Sequence, residues 1–98
     1  MLTTKQRSVL RSRANTLKPT IFIGKEGLTE KVLSQLDFEL FVHELVKVSI
    51  LQSCTLPAKE LLQICSEKLS AQPVCAIGKK FVLYKFSEKE NFNHIPLE

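Results

Sequence analysis

Two hydrophobic periods alternate along this chain. Stretches whose apolar residues recur at helical spacing take turns with short runs of β-branched and aromatic residues, and Pro or Gly separates most of them. Thr3 followed three residues later by Gln6 predicts a capping box. Leu10, Ala14 and Leu17 then share one stripe of a first helix, which runs to about Leu17 and is stopped by Pro19. IFIG at 21–24 reads as a short buried strand. Thr29 suits the N-cap of a second helix reaching about Phe41, with Val32, Leu33, Leu36 and Leu40 on one face and Glu30 at the positive end of the dipole. LVKVSIL at 45–51 alternates as a strand. Pro57 belongs in the first turn of a third helix carrying Ala58, Leu61, Leu62, Cys65 and Leu69, although Leu56 offers no side-chain cap. After Gln72-Pro73, VCAI and FVLYKF joined by Gly78-Lys79-Lys80 predict a terminal hairpin. The order is αβαβαββ, an α/β fold in which helices cover a mixed sheet.

Ninety-eight residues make one domain, and 44% hydrophobic with 24% charged residues is a composition that builds its own core. Residues 1–86 form that domain, and 87–98, SEKENFNHIPLE, form a polar tail with no period that is expected to fray. Cys54, Cys65 and Cys75 lack CxxC spacing and histidine neighbours, so reduced, mostly buried thiols are expected, with no metal and no cofactor. No run approaches the roughly 20 apolar residues of a membrane span, and the N-terminus lacks the apolar core of a secretory signal. A cytoplasmic location away from membranes is expected.

Charge is distributed unevenly. The net +4 conceals six basic residues and no acid in 1–25, against eight basic and ten acidic residues in 26–98. Arg7, Arg11 and Lys18 cluster beside the apolar stripe of the first helix, provided its last turn reaches Lys18. This ridge leads into the strand that delivers Gly24-Lys25-Glu26-Gly27 and then a helix. Two glycines permit a tight turn, and the helix start offers unpaired N–H groups, so a phosphate can approach the main chain. A GxxG loop is how one class of single-strand RNA readers holds the nucleotide backbone. Alone it is a weak signal, since any tight strand-to-helix turn can hold two glycines, but Lys25 and Lys31 strengthen it. Glu26 opposes it, and the spacing does not fit the nucleotide-binding GxxxxGK[ST].

A second basic spot is Lys79, Lys80 and Lys85, with Tyr84 and Phe86 alternating on one strand face. Either bases stack on these rings or the rings fill the core while the lysines solvate the turn; the second reading is favoured. The supply of catalytic groups is thin, with no motif that joins acid, base and nucleophile. His43 is expected to be structural, bonding backbone or the neighbouring Glu44, and His94 carries no argument. Phe38 and Phe41 lie opposite Val32, Leu36 and Leu40 on the second helix. Either the first helix or the tail covers them or they are tolerated singly as exposed residues, which is favoured, or they form a protein contact.

The blocks LTTKQRSVLRSRANTLKP, IGKEGLTEKVLSQLD, HELVKVSIL and IGKKFVLYKF resemble, in order and spacing, the CRM domain family, named for chloroplast RNA splicing and ribosome maturation, and in particular its stand-alone bacterial (YhbY-type) members. The resemblance covers residues 2–86. It implies a four-stranded mixed sheet similar to the C-terminal domain of translation initiation factor three. It also implies a non-enzymatic RNA-binding protein that assists assembly of the large ribosomal subunit. Gly24, Lys25 and Gly27 would then clamp the RNA backbone beside the basic first helix. Glu26 stands where the family loop commonly reads GKGG, and Lys85 where an arginine commonly follows the tyrosine. On these grounds the expected RNA-binding set is Arg7, Arg11, Lys18, Gly24, Lys25, Gly27, Lys31, Lys79, Lys80 and Lys85, in a monomer.

Overall fold

The computed structural model describes residues 2–97; Met1 and Glu98, at the outer bounds of the expected domain and tail, lie outside the described residues. The elements follow the expected order: α1 (Thr4–Ala14), β1 (Ile21–Ile23), α2 (Glu30–His43), β2 (Leu45–Ile50), α3 (Ala58–Leu69), β3 (Gln72–Ile77) and β4 (Lys80–Tyr84). The strands form one mixed sheet in the order β1-β2-β4-β3, with β1 parallel to β2 and the other pairs antiparallel.

Local chemistry explains most boundaries. The Gln6 N–H donates to Thr3 Oγ1 and the Thr3 N–H to Gln6 Oε1, each at 3.1 Å, which is the reciprocal capping box. Thr29 Oγ1 accepts the Val32 N–H at 3.2 Å and starts α2. Pro57 is itself the N-cap of α3, without a side-chain bond, so it precedes the first turn rather than sitting in it. The first helix is shorter than its periodicity predicts. It ends at Ala14, where the Leu17 N–H turns back to the Ala14 carbonyl and Lys47 Nζ stands 3.2 Å from the Ala14 oxygen and 3.4 Å from that of Leu17. A cation from β2 thus satisfies terminal carbonyls at the negative end of the dipole. Lys18 consequently leaves the helix, and the expected ridge stops at Arg11.

Helices pack on both faces of the sheet, and α1 covers only part of its own. Ile21, Ile23, Val46, Val48, Ile50, Phe81 and Leu83 pack against Leu36 and Leu40 of α2 and Leu61, Leu62 and Cys65 of α3. On the other face Leu10 and Ala14 of α1, with Leu2, cover Leu45, Val74, Val82 and Tyr84. Period-2 alternation divides β4 between these cores, since Phe81 and Leu83 face one and Val82 and Tyr84 the other. Tyr84, only 4% exposed, is therefore a core ring, whereas Phe86 beyond the strand is exposed.

The tail does not fray as expected. Among the described residues it adds no helix or strand, yet it closes on the buried Glu44, the single residue between α2 and β2. The Glu44 carboxylate accepts the Ser87 N–H at 2.8 Å and the Ile95 N–H at 2.9 Å, while His94 Nδ1 lies 2.6 Å from Glu44 Oε2. Phe86 stacks on the His94 ring with centroids 4.1 Å apart, and Ile95 and Leu97 pack against the α1 core. Burial pushes the Glu44 carboxyl up, but the Ser87, Ile95 and His94 bonds outweigh it and hold the group below its ordinary value.

Candidate nucleic-acid interface

The Gly24–Gly27 loop closes as a turn in which the Gly27 N–H donates to the Gly24 carbonyl at 3.0 Å. Only one glycine is required by conformation. Gly27 has φ +69, where an L side chain is strained, whereas a Cβ on Gly24 would stand 3.4 Å from Ser53 Oγ and 3.5 Å from Leu51. Lys25 and Glu26 form the exposed tip. Leu28 and Thr29 then lead into α2, where the first-turn N–H groups of Glu30 and Lys31 have no intrahelical acceptor.

Register determines what lies near this loop. Ile23 pairs with Ile50, and Ser49 with Lys80, so the loop after β1 and the Gly78–Lys80 hairpin tip emerge at the same end of the sheet. Lys25, Lys31, Lys79 and Lys80 are all exposed there. Arg11 joins Lys80 from the side, lining with Lys47, Cys75 and Ile77 a groove of about 190 Å³ between α1 and the sheet. Lys18 lies instead with Arg13, His43, Lys47 and Ile95 around a larger cleft of about 460 Å³ beyond the end of α1. Arg7 is partly buried, and its Nε has no hydrogen-bond partner. Lys85 is not brought to the other lysines. It sits past the opposite end of β4, 3.6 Å from Asp37 of α2.

The electrostatics follow the faces. Helix α1 carries Lys5, Arg7, Arg11 and Arg13 and no acid, while Glu30, Asp37, Glu39, Glu60 and Glu67 lie on α2 and α3 across the sheet. Phe38 and Phe41 are 62% and 46% exposed; α1 packs on the far face, so it does not cover them. With Phe86, Asp37 and Lys85 they line a groove of about 330 Å³. From the tail, Ser87 and Glu88 also line this groove, and the Ser87 hydroxyl donates to the Phe41 carbonyl.

The structure revises the role of the histidines. His43 is exposed and lies 4.0 Å from Glu39, one turn back on its own helix; it is His94 that bonds Glu44. The Cys65 thiol is pushed up to about 11 by burial and is inert at neutral pH. Among the described residues no group of three His, Cys, Asp or Glu side chains is placed to hold a metal ion, and no helix is long and apolar enough to cross a membrane. Three contributions were missed in the sequence: the Glu44–tail anchor, the Lys47 cap and exposed Phe22. Phe22 had a legible signal, because alternation in IFI turns it away from the side of Ile21 and Ile23.

The pattern of the CRS1 / YhbY (CRM) domain matches residues 2–85. The chain belongs to this family. It is 35% identical over 96 residues to the Probable RNA-binding protein YqeI of Bacillus subtilis, covering 98% of this chain and 100% of that one. To an RNA-binding protein of Haemophilus influenzae it is 34% identical over 88 residues, 90% and 89% of the two chains. Its fold is similar to the solution structure of the hypothetical protein SAV1595 from Staphylococcus aureus, which is considered to bind RNA. The TM-score is 0.80 at 38% identity, over 98% of this chain and 100% of that one. As a CRM-family protein, the chain has its GxxG loop at the sheet end that also carries the β3–β4 lysines.

Proposed function

We propose that this CRM-family protein binds RNA without catalysing a reaction, gripping the phosphate backbone with Lys25, Lys31, Lys79 and Lys80 and with Arg11 at the side. The observation that carries the reading is the register, which brings two basic loops distant in sequence to one end of the sheet. Its support is the acid-free α1 side and the RNA-binding names of the relatives. Gly24 and Gly27 shape the loop, and Lys25 supplies the charge. Glu26 is exposed beside Lys25 and weakens the grip, so the loop works with the hairpin rather than by itself. Lys85 is left out of the set because Asp37 engages it.

The family resemblance supports a role for a cytoplasmic monomer on precursors of the large ribosomal subunit. A second reading, a protein-interaction adaptor, is favoured by the exposure of Phe38 and Phe41 beside Phe86. One comparison separates them. Lys25→Glu and Arg11→Glu are each expected to weaken RNA binding several-fold at moderate salt; the thermal midpoint stays unchanged for the exposed loop residue Lys25 and falls slightly for Arg11, where an acid would face the negative end of the α1 dipole. Phe38→Glu with Phe41→Glu should leave RNA affinity intact. Charge-reversed proteins that bind RNA like the parent would overturn the backbone grip. Association with ribosomal particles lost only in the Phe double variant would favour the adaptor.

A further inference from the structure

We propose that Phe22 is a stacking platform for an unpaired base of single-stranded RNA, on the part of the sheet that α1 leaves open. The inference rests on the RNA-backbone reading above and adds a base contact to it. Ile21 and Ile23 are buried against α2 and α3, and Phe22 between them projects from the other face with 55% of its surface exposed. On that face α1 covers Leu45, Val82 and Tyr84 and stops short of the next row. That row is defined by pairing: Phe22 opposite Ser49, Ser49 opposite Lys80, Lys80 opposite Ile77. It crosses all four strands, and Phe22 and Ile77 are both exposed apolar residues.

The surroundings indicate the occupant. Ser49 offers a hydroxyl and Lys80 a cation between the two apolar ends, and Arg11 and Lys47 border the groove beside Ile77. No acid lies on the row or on α1. Strands about 4.8 Å apart set the Phe22 and Lys80 backbones roughly 10 Å from one another, close enough for one RNA strand to lie over both. Phe22 also precedes Gly24 by two residues, so a strand held by the loop passes the ring. A flat base with flanking phosphates matches an exposed ring set among cations, and RNA-binding sheets commonly present aromatic rings in this way. Every base has a π-face, so the contact adds affinity with little sequence preference.

The chain has no tryptophan, so Phe22→Trp places a sole indole in the row. Titration with short oligoadenylate is expected to quench its fluorescence, while inorganic polyphosphate, which carries charge but no base, leaves it unchanged. Phe22→Ala is expected to lose about tenfold in oligoadenylate affinity, with polyphosphate affinity and salt dependence as in the parent and an unchanged circular dichroism spectrum. Phe22→Ala binding oligoadenylate like the parent would overturn the stack, as would an equal loss toward polyphosphate. An indole signal from the Phe22→Trp variant that follows protein concentration without RNA would make the row a self-contact and also overturn it. If Lys25→Glu and Arg11→Glu still weaken both polyanions, the backbone reading survives such a failure; if they too have no effect, both readings fall.

Discussion

Glu44 concentrates several constraints in one side chain. It occupies a positive-φ backbone position at φ 69 and ψ −40, a strained region for a residue with a Cβ, and its carboxylate is buried. The bonds from Ser87, Ile95 and His94 stabilise that arrangement and tie the tail to the helix–strand junction. Glu44→Gln, which keeps one acceptor oxygen but loses the charge, is expected to destabilise the fold by about 1–3 kcal/mol at neutral pH. The pH dependence has a definite sign. Because the folded-state pKa is lowered, the ionised carboxylate contributes its stability above the ordinary carboxylate range and loses it as pH falls through the lowered value. Urea unfolding of parent and Gln variant should therefore converge in acid, and a gap independent of pH would contradict the anchor. None of this was legible in the sequence, where HEL reads as a junction. The partners of Glu44 lie 43, 50 and 51 residues away, beyond any local pattern.

The elements themselves were legible, because burial forces the periodicities that reveal them. The caps at Thr3 and Thr29 were readable too, since each is a contact between residues three apart. The end of α1 was not. Leu17 continues the helical stripe, but the chain turns at Ala14 because Lys47, 33 residues away from it, supplies the terminal donor. Lys47→Met keeps the aliphatic stem and removes the ammonium. It is expected to cost about 0.5–1.5 kcal/mol, with faster amide exchange in the last turn of α1. Unchanged stability and exchange would show that the turn at Ala14 needs no cation. The site was legible in a similar proportion. Gly27 and the lysines were evident as residue types, whereas the separation of Lys85 from Lys79 and Lys80 depends on strand direction, since the two groups stand at opposite ends of β4.

Across the whole molecule, the sheet divides two chemistries. One face is closed by α2 and α3, where the acids Glu30, Asp37, Glu39, Glu60 and Glu67 outnumber Lys31, Lys59 and Lys68; the other bears the acid-free α1 and an uncovered row that ends beside the basic loops. The modest net charge of +4 is thus the balance between a basic side and an acidic one. This asymmetry, rather than any pocket, is what the RNA-binding reading rests on, and the phosphate backbone is the partner it suits. The dependence of RNA affinity on salt tests it most directly. With about four or five phosphates neutralised, log affinity should fall against log salt concentration with a slope of about −3 to −4, and the slope should shrink by roughly one unit when Lys25 or Lys80 is replaced by Ala. A flat dependence in the parent would contradict the account.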